Sequence, residues 1–193
     1  MVHATPRRTV RVLALGAAVS ILALGACQSP EPDVSGQPAP GGGLILSDAE
    51  VGNITMSANN AEIQAAQLAL QKSRNDAVRQ FAQRMITDHT TLNQRLASLE
   101  GDLRGTTGSQ LNQQINSTAQ QTLRTLQQLE GAQFDRTYMQ NQVQQHQWLL
   151  ESLDNALIPS ARNNRLEKDL MEARSIVASH LQQAQQIHGT LNR

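Results

Sequence analysis

From Ser47 onward the apolar residues recur every three or four positions, the spacing that lays a stripe along one face of an α-helix. Five such stripes are separated by short breaks. The first helix is expected from Asp48 to Ser73, because Ser47 and Glu50 have the spacing of a capping box. Its stripe runs through Ile54, Ala58, Ala61, Ala65 and Leu68, widened by Ile63, Ala66 and Leu70. Asn75 is placed to cap a second helix reaching about Leu99, with Val78, Phe81, Ala82, Met85, Ile86, Leu92 and Leu96 on one face. Gly101, Gly105 and Gly108, with Thr106 and Thr107, then interrupt the pattern and predict an internal loop. A third helix is expected from Ser109 to Leu129, ended or bent at Gly131, and a fourth from Gln133 to about Leu157. Pro159 should stop the fourth, leaving Ser160 to cap a last helix running to about Leu191. Helices of about 20 to 30 residues are about 30 to 45 Å long, and their apolar stripes need one another. The pattern therefore predicts an all-α antiparallel bundle of four to five long helices over residues 44–193.

The first 43 residues follow other rules. Arg7, Arg8 and Arg11 precede an apolar run from Val12 to Ala26, with only Ser20 as a polar side chain inside it. That run is short for a permanent span of a hydrocarbon layer about 30 Å thick. Charged, apolar and then small residues is the order of a secretory signal. Its end, Leu24-Gly25-Ala26-Cys27, resembles the lipobox of bacterial lipoproteins, which implies a signal peptide over 1–26 and a lipid attached at Cys27. Residues 27–43 carry four prolines and four glycines and almost nothing apolar, so they read as a disordered tether. The expected location is the cell envelope, as an outer-membrane lipoprotein facing the periplasm, with the membrane reached through the anchor at Cys27.

Composition narrows the function classes. The 193 residues hold 16 basic and 16 acidic side chains, and removing Arg7, Arg8 and Arg11 with the signal leaves 13 against 16. No broad basic surface is available for phosphates, so nucleic acid is not an expected partner. Aromatics make up 2%, which leaves Leu, Ala, Ile, Val and Met to build the core. Cys27 is the one cysteine, so an internal disulfide is impossible. No glycine-rich phosphate loop, nucleophile elbow or paired-cysteine motif occurs, and no catalytic residue is assigned.

The anomaly lies inside the stripes. His89, His146 and His180 occupy apolar-face positions on three separate helices, while His188 falls one place off the last stripe. Glu62 sits among alanines, Asp88 precedes His89, and Asp135 and Tyr138 are neighbours on one helix face. Buried carboxylates and imidazoles are costly unless paired or bound to metal. Two readings follow: a buried polar network that fixes helix register, or ligands for Fe, Mn or Zn in the bundle core. Asp135 and His146 are 11 residues apart, about 16 Å along a helix, so one small site cannot use both. No glutamate has a histidine three residues later, so the Glu-x-x-His pattern of di-iron bundles is missing.

Glu62-Ile63 through Leu68-Ala69, Lys72-Ser73, Phe81-Ala82, Met85 and Asp88-His89-Thr90 resemble the first half of a bacterial family, domain-of-unknown-function family 4142, often labelled predicted outer-membrane protein. The second half agrees through Leu129, Gly131, Phe134-Asp135, Tyr138, His146 and His180-Leu181. The resemblance covers about Leu46 to Ile187 and implies a ferritin-like helical bundle exported to the envelope. It includes Glu62, Asp88, His89, Asp135, Tyr138, His146 and His180, and it brings no established substrate or reaction. The leading expectation is a lipid-anchored envelope domain that binds an envelope protein or small molecule, or serves a structural or stress-related role. The alternative is a metal-binding protein, with redox activity open to it.

Overall fold

The computed structural model describes residues 46–99, 101–103 and 109–193. The signal segment, Cys27, the tether and part of the glycine-rich loop lie outside the described residues. Within them the chain forms five helices: α1 (Asp48–Lys72), α2 (Asp76–Ala97), α3 (Gln110–Gln127), α4 (Gly131–Ser152) and α5 (Asn164–Leu191). None is long and apolar enough to cross a membrane.

Local chemistry explains the starts. Ser47 caps α1 in a complete box: Glu50 N–H donates to Ser47 Oγ, while Ser47 N–H donates to the Glu50 carboxylate at 3.0 Å. Asn75 accepts from Ala77 and Val78 N–H, and Ser109 accepts from Asn112 N–H. The expected break at Pro159 is placed differently. Beyond α4 the chain widens into a π turn over Leu153–Leu157 and closes with a helical turn over Ile158–Ser160. The wider turn lets the chain carry Pro159 past the point where an α-helix would have stopped. The cap of α5 is consequently Asn163 in place of Ser160, accepting from Arg165 and Leu166 N–H.

The short links between α1 and α2 and between α4 and α5 make two antiparallel hairpins. Each helix packs chiefly on its hairpin mate; α2 also packs on α5 and α1 on α4, while α3 lies against α1 and α4. This is an all-α bundle of the ferritin-like kind. The buried face of α1 is rotated slightly from the expected stripe: Ala58, Glu62, Ala65, Ala66 and Ala69 are buried, and Ala61, Ile63 and Leu68 are at its margins. Alanines at those positions bring neighbouring helices close to Glu62.

The apolar interior is in two parts. One contains Ile54, Leu96, Leu149, Leu153, Leu170 and Val177; the other contains Ala66, Phe81, Met85, Phe134, Met139 and Ala184. On every helix of the two hairpins the residues between these clusters are polar: Asn59 and Glu62 on α1, His89 on α2, Gln142 and His146 on α4, His180 on α5. A polar layer thus crosses the core at mid-height.

Candidate metal centre

The three inward histidines meet in this layer. His89, His146 and His180 are 1%, 0% and 0% exposed, and each offers a ligand atom within 4.8 Å of the others. Ring centroids are 6.2 Å apart for His89 and His146, and 5.5 Å for each of the other two pairs.

Each imidazole has one nitrogen committed to an oxygen. His89 Nδ1 lies 2.9 Å from Asn59 Oδ1, and the Asn59 amide is held in that orientation because its Nδ2 donates to Asn93 Oδ1 at 2.9 Å. His146 Nδ1 donates to the Gln142 carbonyl one turn back on its own helix, at 2.8 Å. His180 Nε2 donates to the Asp88 carboxylate at 2.8 Å. Arg84 fixes that carboxylate with a 3.3 Å contact and reaches across to Ser179 and Gln183 on α5. The acceptor in each pair assigns the proton to the committed nitrogen, which leaves a lone pair on His89 Nε2, His146 Nε2 and His180 Nδ1. All three of these atoms are buried and without a hydrogen-bond partner.

Electrostatics keep the rings neutral. Burial lowers His89 well below its ordinary range, with the like charges of His146 and His180 adding to it. His146 is lowered to about 3, again chiefly by burial. His180 is lowered by burial against the opposing pull of Asp88. Neutral imidazoles cannot satisfy one another here, because every N–H already points outward. A water molecule has two hydrogens for three lone pairs. A cation accepts all three, and donation of the second ring N–H to an amide, carbonyl or carboxylate oxygen is the usual support of a metal-bound histidine. The triad is consistent with a site for Fe, Mn or Zn.

The other residues singled out by sequence take different places. Asp88 supports His180 from outside the triad. Glu62 is joined to the layer indirectly: Gln142 Nε2 donates to its Oε2 at 2.8 Å, and the Gln142 carbonyl holds His146. Burial raises the Glu62 carboxyl to about 7, against the hydrogen bond from Gln142. Tyr138 is stacked on Phe134, and the Phe81 ring stands edge-on to Tyr138, His146 and His180 alike. Asp135 lies further along α4 in the wall of an end cleft. The dinuclear carboxylate centre of ferritin-like oxidases does not fit, because Glu62 is the one buried glutamate among the described residues and lies outside the triad. One turn from the triad, Ala58, Leu92, Leu149, Ala173 and Val177 line a small apolar cavity of about 20 Å³.

Sequence reasoning missed Asn59 and Gln142, which orient two of the rings. Asn59 had a signal: it is three residues before Glu62 on a helix face otherwise made of alanine. Gln142 had none, since glutamines occupy many outer positions of this chain.

No curated protein and no solved structure matches the chain. The family model described as domain of unknown function DUF4142 matches residues 34–187, a span that takes in all three histidines and every residue that supports them. By that match, over most of its length, the chain belongs to the DUF4142 family.

Proposed function

We propose that the protein binds one divalent transition-metal ion through His89 Nε2, His146 Nε2 and His180 Nδ1. The observation that carries this reading is the set of three buried, unpartnered nitrogens on neutral rings whose other nitrogens are all hydrogen-bonded outward. A register-fixing network, the other reading of these histidines, would place donors opposite those lone pairs. Instead each bare acceptor costs about 1–3 kcal/mol until something fills the space between the rings. An all-imidazole donor set favours Zn or Fe(II) over Mn, which prefers carboxylates. A three-histidine site also keeps a coordination position free for a water or a small ligand. The protein's place, on the same proposal, is the periplasmic side of the outer membrane, held by lipid at Cys27. That part rests on the lipobox-like Leu24-Gly25-Ala26-Cys27 and the tether that follows it.

The test is metal content by mass spectrometry on the full chain purified without chelator or histidine tag. One equivalent of Zn or Fe per chain is expected, lost in His180→Ala while the helical circular-dichroism signal persists. A protein that stays empty after incubation with each ion, yet folds cooperatively, would return the histidines to a structural role.

A further inference from the structure

The unpartnered polar atoms of the core do not stop at the triad. They continue along the inward face of α4 and the facing side of α1: Gln142 Oε1 and Glu62 Oε1, then Tyr138 Oη, then Asp135 Oδ1, all buried and all without a hydrogen-bond partner. Asn141, beside Gln142, has both amide atoms unpartnered. Asp135, Tyr138, Gln142 and His146 are spaced three or four residues apart, so they follow one helix face for about 16 Å at 1.5 Å per residue. The far end opens to solvent. Asp135, 7% exposed, lines a cleft of about 720 Å³ between the α1–α2 turn and the start of α4, together with Lys72, Arg74 and Glu130. Lys72 does not neutralise Asp135, being engaged by Glu130 at 2.7 Å and by the Gln127 carbonyl at 2.7 Å.

Two carboxylates buried without a cationic partner are an expensive feature of any core. A phenol and amide oxygens standing between them without partners add to the cost. Oxygen atoms with free lone pairs, strung from a solvent cleft to a nitrogen site, are what a hard or borderline cation needs to shed its water in stages. Building on the metal reading above, we propose that ions reach the histidine centre from the end cleft along this oxygen-lined seam, with Asp135 as the first station and Glu62 as the last before the imidazoles. The 16 Å that keeps Asp135 out of the ligand set is then, at about 1.5 Å per residue, the length of the path.

A path differs from a ligand set in its kinetics, because a station changes uptake and release by the same factor and leaves the affinity alone. The full chain is stripped with chelator, and Zn(II) uptake is followed by stopped flow. Release is measured by transfer to a chromophoric chelator. Asp135→Asn and Glu62→Gln keep side-chain volume and exchange a buried carboxyl for an amide, so both are expected to fold; Tyr138→Phe stands in if either does not. Both rates should fall by about tenfold or more in each variant, with one equivalent still bound, since focused charge supplies rate enhancements of that order. The exposed Glu151→Gln at the opposite end of α4 should keep the parent's rates. Unchanged rates in Asp135→Asn and Glu62→Gln would overturn the path while leaving the site intact. Loss of the bound ion in those variants would overturn it too, by making the carboxylates ligands. A parent chain that takes up no ion removes the site and the path together.

Discussion

At the scale of single residues, the polar layer has a pH signature. In the metal-free protein His89, His146 and His180 are all shifted downward, so below about pH 6.5 the unfolded chain binds protons that the folded one refuses. Stability therefore falls as the pH falls, by about 1.4 kcal/mol per unit for each fully suppressed histidine. For His146 the loss continues until about pH 3. Glu62 has the opposite sign. Its folded carboxyl titrates at about 7 against an ordinary value of 4.5, so its cost is fully present above pH 7, shrinks as pH falls, and is gone below 4.5. Urea titrations of the metal-free chain should show stability declining from about pH 6.5 to 4.5 and more steeply below. Glu62→Gln should raise stability by about 3 kcal/mol at about pH 8 and leave it nearly unchanged at about pH 4. Equal gains at both pH values would mean that Glu62 is not the buried acid described here.

At the scale of elements, the helices and their inward faces were legible because the signals are local. Caps such as Ser47 with Glu50, Asn75 and Ser109 lie within four residues of the groups they satisfy, and periodicity needs only one helix at a time. Which histidine stands level with which was not legible, because height in the bundle depends on turn lengths and on the π turn after α4. The partnership of His89 with Asn59 spans 30 residues and two helices, and no local pattern encodes it. Gly131 is an intermediate case: its spacing marked a break, and the backbone shows why glycine is there. Its φ of 55° lies in the left-handed region, and a Cβ at that point would meet nothing within 4 Å. Gly131→Ala should therefore destabilise by about 1–2 kcal/mol for conformational reasons alone, with Gly131→Asn recovering part of the loss in denaturant titrations.

At the scale of the whole molecule, the layer joins two apolar half-cores. An ion at the triad would tie α2, α4 and α5 together at the level between the two apolar clusters. At a free-ion concentration of about 100 times Kd the stabilisation is about 2.7 kcal/mol, which corresponds to a rise in Tm of about 5–10 °C for a domain of this size. Calorimetry with and without Zn(II) should show that rise in the parent and none in His180→Ala. The distribution of the ligands has a further consequence. The α1–α2 hairpin supplies one imidazole and the α4–α5 hairpin supplies two, so neither half holds the complete set, and the segments that complete it are far apart along the chain. An extended polypeptide has no such site and would carry no such ion with it. An ion bound at the triad would be acquired only where the two hairpins first close on each other, and the ion supply at that place, as much as the chemistry of three nitrogens, would select the occupant.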